Sequence, residues 1–197
     1  MPDDLRDLEQ ELRALRSVPP DALFPETVVG VGAADEAALA DSPVGPVWIA
    51  WSVRGVTALS PVFASKSFED FSRSHRRTAF ERDALPADLG DAVVKALDTG
   101  NANDVPIDLS GVRPFQQRVL AACSTIPAGE VKPYQWIAVR IDKPAAARAV
   151  GTALARNPIP LLVPCHRVVR ADGSVGSYAF GAQRKRDLLI REGALLH

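Results

Sequence analysis

Leu5, Leu8, Leu12 and Leu15 recur at three- and four-residue intervals, the spacing that sets side chains on one stripe of an α-helix. Asp3 or Asp4 suits its start, and Pro19-Pro20 ends it. The following stretch, DALFPETVVGVGAADEAALADSP, has few aromatics and many Ala, Gly and Asp, which predicts a linker or loosely held loop. Then GPVWIAWSVRGVTALSPVF gives two β-rich runs around Arg54-Gly55. This reads as a hairpin in which Trp48, Ile49, Trp51 and Val56 supply core area. SFEDFSRSHRRTAF and DLGDAVVKALDTG each predict a helix, the second stopped by Gly100.

After the connecting NANDVPIDLSGVRPF, the period is helical again. PFQQRVLAACSTI places Phe115, Val119, Leu120 and Cys123 inward. YQWIAVRI and AAARAVGTALARN are two shorter helices around a tight DKP turn, the spacing of a helix-turn-helix. In the second of these, Ala145, Ala146, Ala147, Ala149 and Gly151 leave one surface nearly bare, and Arg148 alone projects from it. Two readings stand: plain helix propensity with a solvated arginine, or a flat face lying in a DNA groove with Arg148 entering the base stack.

Together these elements predict an α/β (α+β) protein. A small mixed N-terminal domain, with a β-hairpin or sheet and helices, precedes a mostly helical C-terminal domain with a winged-helix-like helix-turn-helix. The expected divisions are a helical extension at 1–40, an α+β unit at 41–110 and a helix-turn-helix unit at 111–197.

Charge sharpens that division. The chain's net charge of −1 hides ten Lys and Arg against nineteen Asp and Glu in residues 1–110, and thirteen against five in 111–197. A basic C-terminal module suits phosphate contacts, although such a run also serves as a solvated face. No stretch approaches the length of a membrane span and the acidic start does not resemble a secretion signal, so the cytosol is the default compartment. Cys123 and Cys165 are too few for a disulfide framework or a structural zinc, and Cys123 reads as a buried inert thiol.

The chemistry concentrates in PIPLLVPCHRVVR. Ile159, Leu161, Leu162 and Val163 read as a short core strand bounded by prolines, with Cys165, His166 and Arg167 on the constrained turn that follows Pro164. A cysteine is mostly thiol at neutral pH, and only the thiolate is a good nucleophile. An adjacent base is therefore the partner it needs.

GEVKPYQWIA, AAARAVGTALARNPIPLLVPCHRVV and GSYAFGAQRKRDLLIREG together resemble the O6-alkylguanine-DNA alkyltransferases, over about residues 112–193, with PCHRV the most specific element. The resemblance implies DNA repair by stoichiometric transfer of the alkyl group from O6-methylguanine in double-stranded DNA to a cysteine, with O4-methylthymine a second candidate substrate. By position it makes Cys165 the acceptor, His166 the base acting through a water, and Glu192 the carboxylate that orients His166. It makes Tyr178 a donor to the departing base, the carbonyls of Cys165 and Val168 acceptors for its exocyclic amine, and Ala179 a contact through its N–H. Asn157 becomes the hinge between recognition helix and active-site turn. Tyr134 turns the target phosphate, Arg148 fills the stack, and Ala147 and Gly151 line the groove face. Arg167 is expected to be a structural ion-pair partner.

No cofactor and no metal is implied, and the zinc-binding cysteines of some members are lacking. The protein is expected to act as a monomer. Phe180 stands at a pocket rim and predicts poor entry of bulky O6 substituents; Pro133 precedes the first recognition-module helix unusually. The alternative reading is an alkyltransferase-like protein that binds lesions without repairing them. Those relatives replace the acceptor cysteine, which is intact here.

Overall fold

The structure, a computed structural model, describes residues 23–42, 44–75 and 77–195. The leucine stripe of residues 5–15 lies outside them.

The N-terminal unit is a four-stranded sheet in the order Gly55–Pro61, Val47–Ser52, Asp35–Ala40, Ala79–Glu81. The interior strand β2 (Val47–Ser52) is buried along its whole length, as the unbroken VWIAW run requires of a strand covered on both faces. It pairs antiparallel with β3 (Gly55–Pro61) across the expected tight turn. One face, through Val47, Ile49 and Leu59, joins Val93, Ala96 and Leu97 of the helix Ala87–Thr99. The other, through Trp48, Ala50 and Ala58, packs on Phe71 of the helix Phe68–Ser74. In chain order these helices are α3 and α2, after α1 (Leu23–Gly30).

Two expectations for this unit are corrected. The supposed linker at 21–43 holds α1 and the strand β1 (Asp35–Ala40), which pairs antiparallel with β2 and parallel with β4 (Ala79–Glu81). DEAALA has weak intrinsic strand preference; its place is fixed by partners elsewhere in the chain. Asp35 bonds His75 at 2.7 Å and Arg77 at 3.0 Å, and Glu36 pairs with Arg82 at 2.7 Å and accepts from Trp51 Nε1 at 3.0 Å. For the same reason the helix predicted through Phe80 stops at Ser74: His75 turns extended to reach Asp35, and Ala79–Glu81 joins the sheet.

The C-terminal unit contains α4 (Pro114–Ser124), α5 (Tyr134–Arg140), α6 (Ala147–Ala155) and α7 (Ala182–Arg191). α5 and α6 form the expected helix-turn-helix, linked by a 3-10 turn at Pro144–Ala146. Gln116 on α4 donates to the carbonyls of Ala153 and Arg156, tying α4 to the end of α6. One core runs through both units, from Ile49, Leu59 and Val93 to Leu120, Ile137, Val150 and Leu162.

The apolar run before Cys165 is not a strand. Its only ladder contact is the bridge between Pro160 and Val163, and Leu161 takes the left-handed φ of 74°. Pro158, Pro160 and Pro164 lack the N–H groups a ladder needs. Asn157 ties the resulting turn instead, accepting from Ile159 N–H at 3.0 Å and donating to the Val163 carbonyl at 2.8 Å. No described helix is long and apolar enough to cross a membrane.

Candidate active site

Pro164 leads into a single 3-10 turn made of Cys165, His166 and Arg167, closed by Arg167 N–H on the Pro164 carbonyl at 2.9 Å. All three side chains are buried, with Cys165 7% and His166 1% exposed. A parallel pairing of β5 (Lys132–Pro133) with β6 (Val168–Val169) follows at once, so the entrance to the helix-turn-helix is stitched to the acceptor turn. Pro133 is extended there and precedes α5 without displacing it.

His166 Nε2 lies 2.9 Å from Glu192 Oε1. Burial would raise the Glu192 pKa, but bonds from His166 and Arg167 outweigh it and bring the carboxyl down to about 2. An ionised carboxylate only accepts, so Nε2 carries the proton and Nδ1 of the neutral ring is left as the basic nitrogen. Nδ1 is buried with no hydrogen-bond partner among the described residues. Burial also lowers the imidazole pKa and raises that of Cys165. Both shifts favour the neutral forms, thiol and imidazole. Asn157 Nδ2, 3.2 Å from Sγ, is a donor that favours the anion.

Arg167 holds Glu192 through two bonds of 2.8 Å, from Nε to Oε2 and from Nη2 to Oε1. The ion-pair role expected for it is what the geometry shows. Tyr178 stands edge-on to His166 with ring centroids 6.4 Å apart, and its buried hydroxyl has no partner within the described residues. Burial raises its pKa, which keeps it a donor. A cavity of about 340 Å³ opens onto Cys165 and is lined also by Asn157, Pro160, Ala179 and Phe180.

The structure thus brings Cys165, His166, Glu192, Asn157 and Tyr178 to one place. Tyr134 is half-buried, and a Cβ on Gly151 would lie 3.7 Å from its ring, so these two pack together between α5 and α6. Arg148 is exposed, and Ala147 begins α6 beside it. The Val168 carbonyl accepts from Lys185 Nζ at 2.5 Å, which uses one of its two lone pairs.

Lys185 is the residue sequence reasoning missed. It is wholly buried, and its pKa is lowered to about 8 by burial, with the Cys165 charge acting in the opposite sense. Its cation is a further stabiliser of a thiolate. Within QRKRDLL nothing marks it apart from its charged neighbours except its four-residue offset from the core residue Leu189.

The methylated-DNA–protein-cysteine methyltransferase of Mycobacterium tuberculosis is 42% identical over 160 residues, covering 77% of this chain and 88% of that protein. This chain belongs to that family. A sequence model described as the DNA binding domain of 6-O-methylguanine DNA methyltransferase matches residues 114–194. The crystal structure of Mycobacterium tuberculosis OGT in complex with DNA is similar at a TM-score of 0.67 and 37% identity, covering 81% of this chain and 93% of that one. The bifunctional transcriptional activator/DNA repair enzyme Ada of Escherichia coli is 38% identical over 166 residues; the match takes in 79% of this chain but only 44% of Ada, so the chain spans less than half of that relative.

Proposed function

We infer that this chain repairs O6-alkylated guanine in duplex DNA by moving the alkyl group onto Cys165, one protein molecule per lesion. The observation that carries this reading is a buried cysteine beside an imidazole whose far nitrogen is fixed by an ionised carboxylate, stitched through β5 and β6 to a helix-turn-helix.

The target nucleotide is extruded into the site, since its O6 atom is out of reach within the stack. Arg148 fills the gap it leaves, and Tyr134 guides its phosphate. The thiol proton passes through a water to His166 Nδ1, and Glu192 steadies the imidazolium. Sγ attacks the alkyl carbon, the carbon–O6 bond breaks, and its electron pair returns to the purine. Tyr178 donates to the departing base, and the thiol proton ends on the guanine ring as His166 and Tyr178 recover. No group in the site cleaves the thioether, so the protein is consumed. It works as a monomer in the cytosol, with residues 111–197 as the DNA-binding and acceptor part.

Mass spectrometry after mixing with an O6-methylguanine duplex tests this. The peptide carrying Cys165 should gain one methylene, and Cys165→Ala should gain none. Tight binding of the methylated duplex with no mass gain would instead establish a lesion-binding protein without transfer.

A further inference from the structure

The family sequence model begins at residue 114, yet a contact from residue 100 reaches the catalytic pair. Gly100 ends α3 in the left-handed region, at φ 71° and ψ 11°. Its carbonyl accepts from Arg167 Nη2 at 2.6 Å. Arg167 Nη1 donates to the Ile126 carbonyl at 2.7 Å, and the remaining bonds go to the two oxygens of Glu192. A buried guanidinium stays put only when its donors are matched, so the α3 end, the Ile126 turn and Glu192 fix it jointly. Glu192 Oε1 is shared between Arg167 and His166. The chain of contacts therefore runs from the N-terminal unit to the base.

We propose that Gly100 is a positioning residue for alkyl transfer, seating the arginine that holds Glu192 against His166. This rests on the reading of His166 as the base. A Cβ at residue 100 would lie 2.8 Å from Arg167 Nη2, 3.2 Å from Glu192 Oε1 and 3.2 Å from Ala128 Cβ, so it would press on the very pair that orients the imidazole. A second tie crosses the same seam: Arg191 Nη2 bonds the carbonyl of Asp98 at 3.1 Å and its side chain at 3.3 Å. The C-terminal ends of α3 and α7 both carry partial negative charge, and the two arginines let them meet. The N-terminal unit is thereby part of the chemistry.

The test uses the full chain with Gly100→Ala and Gly100→Asn, and Gly90→Ala within α3 as the control. Asparagine tolerates the left-handed backbone but brings the same Cβ, which separates side-chain intrusion from backbone strain. At saturating methylated duplex, both Gly100 variants should transfer about tenfold or more slowly, with Kd for the duplex within about twofold of wild type. Their acid limb in the pH profile should also move, and Gly90→Ala should match wild type. NMR titration of the His166 imidazole gives a second readout that needs no substrate, and its midpoint should move in Gly100→Asn. A wild-type rate and an unmoved imidazole titration in Gly100→Asn would overturn the proposal, as would a rate loss fully mirrored in Kd. Absence of transfer by the wild-type chain would overturn the functional reading, and the imidazole titration would then decide the positioning role alone.

Discussion

Asn157 donates from one nitrogen to two acceptors, the Val163 carbonyl at 2.8 Å and Cys165 Sγ at 3.2 Å. The residue just past the end of α6 is thus bonded to the sulfur that the proposed function makes the nucleophile. A donor on a developing anion is worth about 1.5–3 kcal/mol, so Asn157→Ala should slow methyl transfer by about 10- to 100-fold. Asn157→Asp should be slower still, because it sets a carboxylate against the thiolate. Single-turnover rates of the two variants check the order.

The pH dependence follows from His166 and Glu192. In the proposed function the base works as neutral imidazole, and burial lowers its pKa, so the rate should fall on the acid side with a midpoint below 6.5. Glu192→Gln removes the partner that raises the imidazole pKa. The limb should move to lower pH, and the plateau should drop by about 100-fold or more as the imidazolium loses its counter-charge. A pH–rate profile of both proteins decides this.

Glu192 also makes stability pH-dependent. Its folded pKa is depressed, so the stabilisation is complete above the ordinary value of 4.5 and is lost as pH falls through about 2. Urea midpoints of the wild-type chain should decline across that window, and Glu192→Gln should flatten this part of the decline.

In the proposed function, substituent size is governed at the rim where Phe180 stands. Phe180 meets Tyr178 edge-on at 5.4 Å and Phe63 edge-on at 5.3 Å, and the Arg184 guanidinium lies 3.9 Å over Phe63. O6-benzylguanine should inactivate the protein far more slowly than a methylated oligonucleotide does. Phe180→Gly should raise the benzylguanine rate by about tenfold or more, and Phe63→Ala, which frees Phe180, by less. Equal inactivation of the wild-type chain by both compounds would remove the steric role of Phe180.

Arg148→Ala should leave the reaction with free O6-methylguanine nearly unchanged and slow repair of duplex DNA by about 100-fold, since extruding a base costs a few kcal/mol. Comparison of the two rates in one variant settles it; equal slowing would take Arg148 out of the flipping role.

Strong local signals were legible in the chain itself. The VWIAW hairpin and the helix-turn-helix follow from period, and the cysteine–histidine adjacency from residue chemistry. The elements that escaped are those with weak local preference and distant partners. β1 is a strand because Arg77, Arg82 and Trp51 hold its acidic residues. Residues 158–164 looked like a strand by apolarity, but three prolines and a left-handed Leu161 made them a turn.

The sequence by itself determined the helical and strand periods, the basic C-terminal half and the adjacency of Cys165 and His166, because those properties reside in adjacent residues. Only the tertiary structure decided which nitrogen of His166 is basic, why Lys185 is buried, and what holds Glu192. Glu192 lies 26 residues from His166, and Gly100 lies 67 from Arg167. Bonds over such separations exist only once the shared core has closed and excluded the water that would otherwise satisfy each group.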